Sequence, residues 1–339
     1  MVVGIMKDIF DKCNMGNLEL NSRIIRTGLW ESQITKQGQL ESSVYDRYER
    51  IASSGVGLIT TELLSMFAKD SFNDYTYKIY SKNFVFDYKI ITQISHKYNV
   101  PILAQLGFAK YNRQIDYNIQ VNDLTIDDIR HIQTELIMDA KKLSFTGFDG
   151  LQLALGNNFF LSKFINPYFN QRKDDYGGDT FNRLKLVLEA IKVIKDNFKL
   201  HINARINAYD GRKGGITQQE SIKMCRLLQE YGCDSLQVTR PLSPLYFTHE
   251  SKENELIEFT QQLNENVDIP VIVGGGFTNR DEINKLLNDT NIEYISMYRP
   301  FVAECDFLNN WRQNRNIESR CKMCNNCYRT KTSTCYHFK

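Results

Sequence analysis

Eight short β-rich runs alternate with longer segments of helical period along the 339 residues of this chain. Such alternation is typical of a parallel sheet built from strand–helix units. The runs are Arg23–Arg26, Gly57–Thr61, Ile102–Gln105, Gly150–Leu153, Ile202–Ile206, Ser235–Thr239, Val271–Val273 and Tyr294–Met297. They predict an α/β fold, a (β/α)8 TIM barrel, for which about 250 residues are typical and insertions are common. A doubly wound sheet is the alternative, but no linker or composition break divides the chain, so a single barrel domain is the simpler interpretation.

The segments between the runs carry helix signals. Apolar residues recur on one face of Thr125–Phe145, and Asp179–Phe198 is similarly apolar at helical spacing. Thr217 and Glu220 have the spacing of a capping box, in which a side chain and a backbone N–H satisfy each other at a helix start. Three helices are therefore predicted where a barrel requires them.

Charge and composition exclude several classes of function. The 42 basic and 40 acidic side chains give a net charge of +2, which is no footprint for a polyanionic partner, so nucleic acid is disfavoured. No stretch approaches the roughly 18 apolar residues of a membrane helix. Lys7 and Asp8 interrupt the apolar start, and no signal-peptide cleavage site follows. We therefore expect a cytoplasmic protein without a membrane partner, with its cysteines reduced.

In a (β/α)8 barrel the active site lies at the C-terminal ends of the strands, so the residues found there are candidates. They are Thr27, Gly28, Leu29, Trp30, Glu62, Gln105, Asn157, Arg205, Gly274, Gly275, Gly276 and Arg299.

The glycine run Gly274–Gly276 has no side chains, so its backbone can approach an anion closely. Barrels commonly bind phosphate after the seventh and eighth strands, and Arg299 could complete such a site with its guanidinium. The alternative is a glycine turn that requires positive φ, next to a surface arginine.

Gln105 and Arg205 point to a heteroaromatic anion. The Gln105 amide carries a donor and an acceptor, and Arg205 within an apolar strand would be an uncompensated buried charge unless it met an anion. A reduced flavin supplies both partners, because its pyrimidine edge carries donors and acceptors and negative charge develops near N1. The alternative for Arg205 is a structural ion pair with a carboxylate such as Glu62.

These residues, together with one longer motif, resemble the old yellow enzyme (NADH:flavin oxidoreductase) family of FMN-containing barrels. The similarity extends from Ile9 to Arg320. The motif N-x-R-x-D-x-Y-G-G-x-x-x-N-R is carried by Asn170, Arg172, Asp174, Tyr176, Gly177, Gly178, Asn182 and Arg183. Supporting matches lie at Gly16–Ile24, Ser54–Glu62, Pro101–Leu106, Gly147–Gly150 and Arg299–Phe301. The resemblance implies an FMN-binding barrel over residues 1–320 and a cysteine-containing tail over residues 321–339.

The resemblance also implies which residues hold the cofactor. FMN is expected to contact Thr27, Gly28, Leu29, Trp30, Gln105, Arg205, Gly275, Gly276, Tyr298 and Arg299. Trp30 could equally be a core aromatic residue. Tyr298 replaces a smaller family residue, and it either crowds the phosphate or binds it through its hydroxyl.

The implied reaction is hydride transfer from NADH or NADPH to FMN and then from flavin N5 to a small, electron-poor acceptor such as an enone. Family members polarise the acceptor oxygen with two side chains after strand 4. Here only Asn157 keeps this role, because Ala154 replaces the first donor and Phe159 replaces a tyrosine that gives a proton. Solvent or Tyr176 could give the proton instead. Leu63 is a further departure, standing where a small residue usually faces the flavin.

Four cysteines lie close together near the end of the chain, at Cys321, Cys324, Cys327 and Cys335. They are candidate ligands for zinc or an iron–sulfur cluster. The alternative is a set of reduced structural cysteines without a metal.

Two functions therefore compete. The first is an FMN-dependent NAD(P)H oxidoreductase with an altered acceptor site, of which a dealkylating or ring-opening flavoenzyme would be a variant. The second is a catalytically silent flavin-binding barrel. The sequence leaves the acceptor, the choice between NADH and NADPH, and the oligomeric state open, with a homodimer as one option.

Overall fold

The structure of the chain, a computed structural model, describes residues 6–28, 33–35, 38–67, 70, 76–113, 118–240, 252–313, 318–329 and 334–338. No helix in these ranges is long and apolar enough to cross a membrane.

A closed barrel of parallel strands forms the centre of the molecule. A small hairpin of strands β1 (Cys13–Met15) and β2 (Leu18–Leu20) precedes it. The barrel strands are β3 (Ile24–Arg26), β4 (Leu58–Ser65), β5 (Ile102–Gly107), β6 (Gly150–Leu155), β7 (His201–Asn207), β8 (Ser235–Thr239), β9 (Val271–Gly274) and β10 (Tyr294–Met297). They pair in sequence order, and β10 closes the barrel by pairing with β3. The predicted (β/α)8 barrel is confirmed, and the doubly wound alternative is excluded because that sheet stays open.

Helices follow the strands on the outside of the barrel. They are α1 (Ser42–Ser53), α2 (Phe84–Lys97), α3 (Ile126–Thr146), α4 (Phe160–Ile165), α5 (Thr180–Asn197), α6 (Gln218–Glu230), α7 (Lys252–Asn264), α8 (Arg280–Asp289), α9 (Arg299–Ala303) and α10 (Phe307–Gln313). A 3-10 turn, Asn326–Arg329, lies in the cysteine-containing tail. The boundary predicted at residue 320 stays a prediction.

Side-chain caps start the three helices that the sequence predicts. Thr125 accepts a hydrogen bond from the backbone N–H of Asp128 in a complete capping box at α3. Asp179 caps α5 through the Asn182 N–H. Thr217 accepts from the Glu220 N–H at 3.2 Å at the start of α6. Because the first N–H groups of a helix have no partner within it, these caps fix where each helix begins.

The strand that differs most from its prediction is β4, which was expected to end at Thr61 and continues to Ser65. Glu62 was expected after the strand and instead lies within it; its side chain is buried, and its Oε1 accepts a hydrogen bond from the Tyr88 hydroxyl at 3.1 Å. The register between β4 and β5 shifts between Thr60 and Leu63. This irregularity brings the last residues of β4 to the rim of the barrel.

Every residue of strands β4 to β8 is buried. Parallel strands covered by helices usually read as apolar runs, yet these also carry polar side chains. The buried polar side chains on these strands include Gln105, Gln152, Asn203, Arg205 and Gln237. A buried polar group needs a hydrogen-bond partner, which a simple apolar core does not provide.

Candidate active site

Residues from three strands converge where β3 leaves the barrel. The Gln105 Nε2 donates to the Gly28 carbonyl at 3.3 Å. The Arg205 Nη1 donates to the same carbonyl at 3.4 Å and lies 3.3 Å from the Thr27 Oγ1. The structure therefore brings Thr27, Gly28, Gln105 and Arg205 together, and that they bind a cofactor stays a prediction. Leu29 and Trp30 lie outside the described residues.

Gly28 allows the close approach on which this arrangement depends. A Cβ at this position would lie 1.9 Å from the backbone carbonyl oxygen of Thr61 and 2.6 Å from the Glu62 nitrogen. Neither backbone atom can move aside without breaking the sheet, so a larger residue would push the end of β3 away from β4. Glycine at this position is thus required by packing.

Arg205 is a buried cation without an anion. Among the described residues no carboxylate pairs with it, and its Nε has no hydrogen-bond partner. Burial lowers the pKa of the guanidinium to about 10, which leaves it charged at neutral pH. The alternative of an ion pair with Glu62 is not seen, since neither hydrogen bond of Arg205 goes to it. A buried charge of this kind is strongly unfavourable unless a ligand compensates it.

The glycine run lies at the end of β9 without a left-handed turn. None of Gly274, Gly275 and Gly276 has positive φ, so the turn alternative does not explain them. A Cβ at Gly274 would lie 3.1 Å from the Val238 carbonyl oxygen and 3.2 Å from the Ser296 Oγ. Glycine at this position serves close packing between neighbouring strands.

The cysteine-containing tail reaches the phosphate end of the predicted site. The Arg299 Nη1 donates to the Asn325 Oδ1 at 2.7 Å. The rings of Tyr298 and Tyr328 stack with centroids 6.0 Å apart and an interplanar angle of 14°. Burial raises the pKa of the Tyr328 hydroxyl, so this tyrosine stays neutral and is no counter-ion for Arg205. Sequence reasoning missed these contacts, because no motif or periodicity links the tail to β10.

Asn157 stands at the exit of β6 in an unusual backbone conformation. Its φ is +62° and that of Asn158 is +60°, a region that few residues other than glycine adopt. Its backbone N–H donates to the Asn207 Oδ1 at 3.2 Å, and its own Oδ1 is buried without a partner. Asn207 was not predicted, although it ends β7 beside the candidate residue. At the exit of β6 the Asn157 Oδ1 is thus a buried acceptor for which the described residues provide no donor.

The three departures from the family pattern on this side form one apolar cluster. Leu63, Ala154 and Phe159 are all buried and pack together. A Cβ placed on Gly107 would lie 2.9 Å from the Leu63 Cδ1 and 3.0 Å from the Ala154 Cβ. Leu63 and Ala154 therefore occupy the space above Gly107 and leave little room for a larger side chain. We call Leu63, Ala154 and Phe159 the apolar wall.

Tyr176 lies elsewhere. Its hydroxyl donates to the Glu189 Oε2 on α5 at 3.2 Å, and the same oxygen accepts from the Gln133 Nε2 on α3 at 2.6 Å. The hydroxyl thus lies in the helical layer outside the barrel, and the structure does not bring it to Asn157.

The four tail cysteines were candidate metal ligands. Among the described residues, which include all four, no group of three ligating side chains is arranged to hold a metal ion. Burial raises the pKa of the Cys327 thiol to about 11 and also raises that of Cys321. Metal binding by these residues stays a prediction.

Comparison with known proteins covers nearly the whole chain. A model of the NADH:flavin oxidoreductase / NADH oxidase family matches residues 8–318. The chain is 23% identical over 345 residues to an NADH oxidase of Thermoanaerobacter brockii, covering 94% of this chain and 53% of that protein. It is 24% identical over 332 residues to an NADPH dehydrogenase of Clostridium acetobutylicum, covering 91% and 96% of the two chains. The chain therefore spans about half the length of the first of these relatives.

A solved structure shows the same fold. The old yellow enzyme homologue from Zymomonas mobilis superposes with a TM-score of 0.75 at 18% identity, covering 94% of this chain and 96% of that one.

Proposed function

Because the chain belongs to the NADH:flavin oxidoreductase / NADH oxidase family, we propose that it is an FMN-dependent oxidoreductase that takes hydride from NAD(P)H. The observation that carries the proposal is Arg205, a buried cation for which the described residues provide no anion. A structural arginine would be paired, as Arg183 is with Glu220. Arg205 is instead available to a bound ligand that carries negative charge.

The described residues fit FMN at both ends. At the pyrimidine edge, Arg205 supplies a cation and Gln105 an amide, both held by the Gly28 carbonyl. At the phosphate end, Gly275 and Gly276 carry no side chains, so an anion can approach their backbone, and Arg299 supplies a guanidinium. Asn325 now accepts from Arg299, so phosphate must share or displace that hydrogen bond.

When bound, FMN supplies two-electron hydride transfer between the nicotinamide and the acceptor. The protein then has to bind both reactants at the mouth. One relative is named for NADH and the other for NADPH, so the proposal does not choose between the two donors.

The acceptor side supports a substrate other than a simple enone. One side-chain amide, Asn157, can contact a polar atom of the acceptor, and the apolar wall takes the place of the second donor. A preorganised donor contributes about 10² to 10³ in rate, so enones that need two donors should react slowly. The acceptor we propose is electron-poor, presents an apolar face to the wall and takes its proton from water.

The second candidate function is a flavin-binding barrel without catalytic activity. The observation that favours it is the same apolar wall, which removes two polar groups from the acceptor site. This candidate shares the cofactor site and differs in whether nicotinamide reduces the flavin.

Purification under mild conditions tests the proposal first. We expect a yellow protein whose chromophore, released by denaturation, is FMN. Protein that is colourless and stays so after FMN is added would overturn flavin binding.

Anaerobic stopped-flow measurements then separate the two candidates. Rapid bleaching of the flavin absorbance by NADH or NADPH supports the oxidoreductase. A yellow protein that neither nucleotide reduces identifies the silent barrel.

A further inference from the structure

A chain of amide side chains crosses the inside of the barrel beneath the candidate site. The Gln105 Nε2 donates to the Gln152 Oε1 at 3.1 Å. The Gln152 Nε2 donates to the Gln237 Oε1 at 2.6 Å, and the Gln237 Nε2 donates to the Ser296 Oγ at 2.8 Å. We call Gln105, Gln152, Gln237 and Ser296 the amide relay. All four side chains are at most 1% exposed.

Backbone carbonyls fix the direction of the relay from both ends. The Ser296 hydroxyl donates to the Val273 carbonyl at 3.3 Å, so its oxygen is left to accept from Gln237. At the other end, the Gln105 Nε2 also donates to the Gly28 carbonyl at 3.3 Å. A carbonyl oxygen can only accept, so each amide in between must point its nitrogen towards Ser296. Turning the Gln105 amide over would set its oxygen against two other acceptors, the Gly28 carbonyl and the Gln152 Oε1.

The direction has a consequence at the mouth. Both hydrogens of the Gln105 amide are committed, one to Gly28 and one to Gln152. Nothing among the described residues donates to its Oε1. Gln105 can therefore offer a ligand only an acceptor, although its side chain carries both kinds of group.

We infer that Gln152 is a positioning residue that makes Gln105 present its oxygen, and not its nitrogen, to an N–H group of the bound ligand. This inference rests on the proposed function, since the N–H in question is the imide N3–H on the pyrimidine edge of FMN. Arg205 supplies a donor beside it, so together the two side chains offer one acceptor and one cation. A ligand edge that carries an N–H next to a negatively charged position is complementary to this acceptor and this cation.

A purely structural role for the relay would be to satisfy buried polar groups. Gln152 also donates to the Asn203 Oδ1 at 2.7 Å, so its loss must lower stability in either case. A loss of stability therefore does not distinguish the two roles. The ratio of the affinities for a ligand with the N–H and a ligand without it does distinguish them.

The test measures the dissociation constants of the apoprotein for FMN and for FMN methylated at N3, by quenching of flavin fluorescence. In the wild type, the methylated ligand should bind more weakly, because Oε1 loses its donor. In Gln152→Leu the Gln105 amide is held by the Gly28 carbonyl alone, and it can turn. The ratio of the two constants should then fall by between about twofold and tenfold, the range of one net hydrogen bond.

Two further variants keep the test decisive if Gln152→Leu does not fold. Gln152→Glu should retain the wild-type ratio, because a buried, protonated carboxyl group still accepts from Gln105 and donates onward. Ser296→Ala removes the far anchor and should lower the ratio by a smaller factor. Ser95→Ala is the matched control. The hydroxyl of Ser95, which lies on helix α2, also donates to a buried backbone carbonyl, that of Val100.

Each result has one interpretation. If the wild type does not bind FMN, the proposed function fails and takes the inference with it. If the wild type binds FMN but Gln152→Leu and Ser296→Ala weaken both ligands equally, the relay is structural and only the inference is overturned.

Discussion

The two sides of the barrel mouth differ in the polarity of their buried side chains. On the cofactor side, at the ends of β3, β5 and β7, polar groups persist at full burial: Gln105 and Arg205 converge on the Gly28 carbonyl. On the acceptor side, at the ends of β4 and β6, Ala154 and Phe159 replace the two expected polar groups and form the apolar wall with Leu63. The cofactor side thus retains an arrangement that is unfavourable without a ligand, and the acceptor side has become an ordinary apolar core.

The difference shows what each side is for. A buried cation without an anion lowers stability, so its presence indicates a ligand that compensates it. An apolar cluster is stable without any ligand. The unfavourable burial of Arg205 therefore supports binding of a cofactor, whereas the apolar wall limits which acceptors can bind.

The largest expected effect comes from restoring a donor to the acceptor side. Leu63→Ala combined with Ala154→His should raise the rate at which a simple cyclic enone reoxidises the reduced protein by about 10² or more. Both changes are needed, because Leu63 and Ala154 together fill the space above Gly107 and a histidine at position 154 has no room beside leucine. Anaerobic stopped-flow reoxidation gives the rate.

Ala154→His alone is the matched control and should show no such gain. Leu63→Ala alone leaves a cavity, which costs about 2–5 kcal/mol of stability. An equal gain in the single histidine variant would show that the three wall residues are independent substitutions and not one feature.

The next effect is on the cofactor side. Arg205→Met should weaken FMN binding by about tenfold to a hundredfold, the loss of a charge-assisted hydrogen bond, as measured by titration of the apoprotein. The midpoint of thermal unfolding of the apoprotein should not fall, because the variant removes a buried charge that has no anion among the described residues.

Arg183→Met provides the contrast. Arg183 is also buried, but it pairs with Glu220 and donates to the Ile165 carbonyl. Its removal leaves these groups without a donor, so the unfolding midpoint should drop markedly. Equal losses of stability in the two variants would show that Arg205 is structural and would remove the main support for the cofactor site.

The remaining polar group of the acceptor side gives a smaller effect. Asn157→Gly should slow reoxidation by the true acceptor by about tenfold, because it removes the side-chain amide at the exit of β6. The backbone should tolerate the change, since glycine adopts the observed φ of +62° without strain. Stopped-flow reoxidation and thermal unfolding measure the two outcomes.

Asn158→Gly is the control for the backbone. Asn158 has a φ of +60° and is exposed, so the substitution relieves the same strain without removing a group at the mouth. If both variants lose activity to the same extent, the conformation of this loop matters and the Asn157 amide does not.

The sequence predicted the frame of the molecule well, for a physical reason. Runs such as Ser235–Thr239 and Tyr294–Met297 became strands with the predicted bounds, because a short β-rich run bounded by helical segments is a local signal for a strand. The helix start at Thr217 followed from local capping chemistry, and the helices beginning after Thr125 and Asp179 followed from apolar periodicity. Such signals involve residues a few positions apart in the sequence, so they do not depend on long-range contacts.

The sequence did not predict features that depend on long-range geometry. The direction of the amide relay follows from the pairing of Gln105 with Gln152 across neighbouring strands and from the carbonyls at its ends. Polar residues within the runs were the available signal. Their positions do not say which atom of one side chain faces which atom of the next. Tyr176 shows that a match to a motif is also insufficient. The motif does not say whether the hydroxyl points to the mouth or to the outer helices.

The smallest predicted effect concerns the tail, where it meets the cofactor side. Asn325→Gly should strengthen FMN binding by about twofold to fivefold, because the Asn325 Oδ1 no longer competes with phosphate for the Arg299 guanidinium. The effect should be absent with riboflavin, which has no phosphate. Met323→Gly is the matched control, since Met323 shares the positive φ, at +52° against +61°, and among the described residues the hydrogen bond of Arg299 goes to Asn325. Equal changes for FMN and riboflavin would mean that the tail acts on the barrel mouth as a whole, and the boundary between the two sides would then have to be drawn without Arg299.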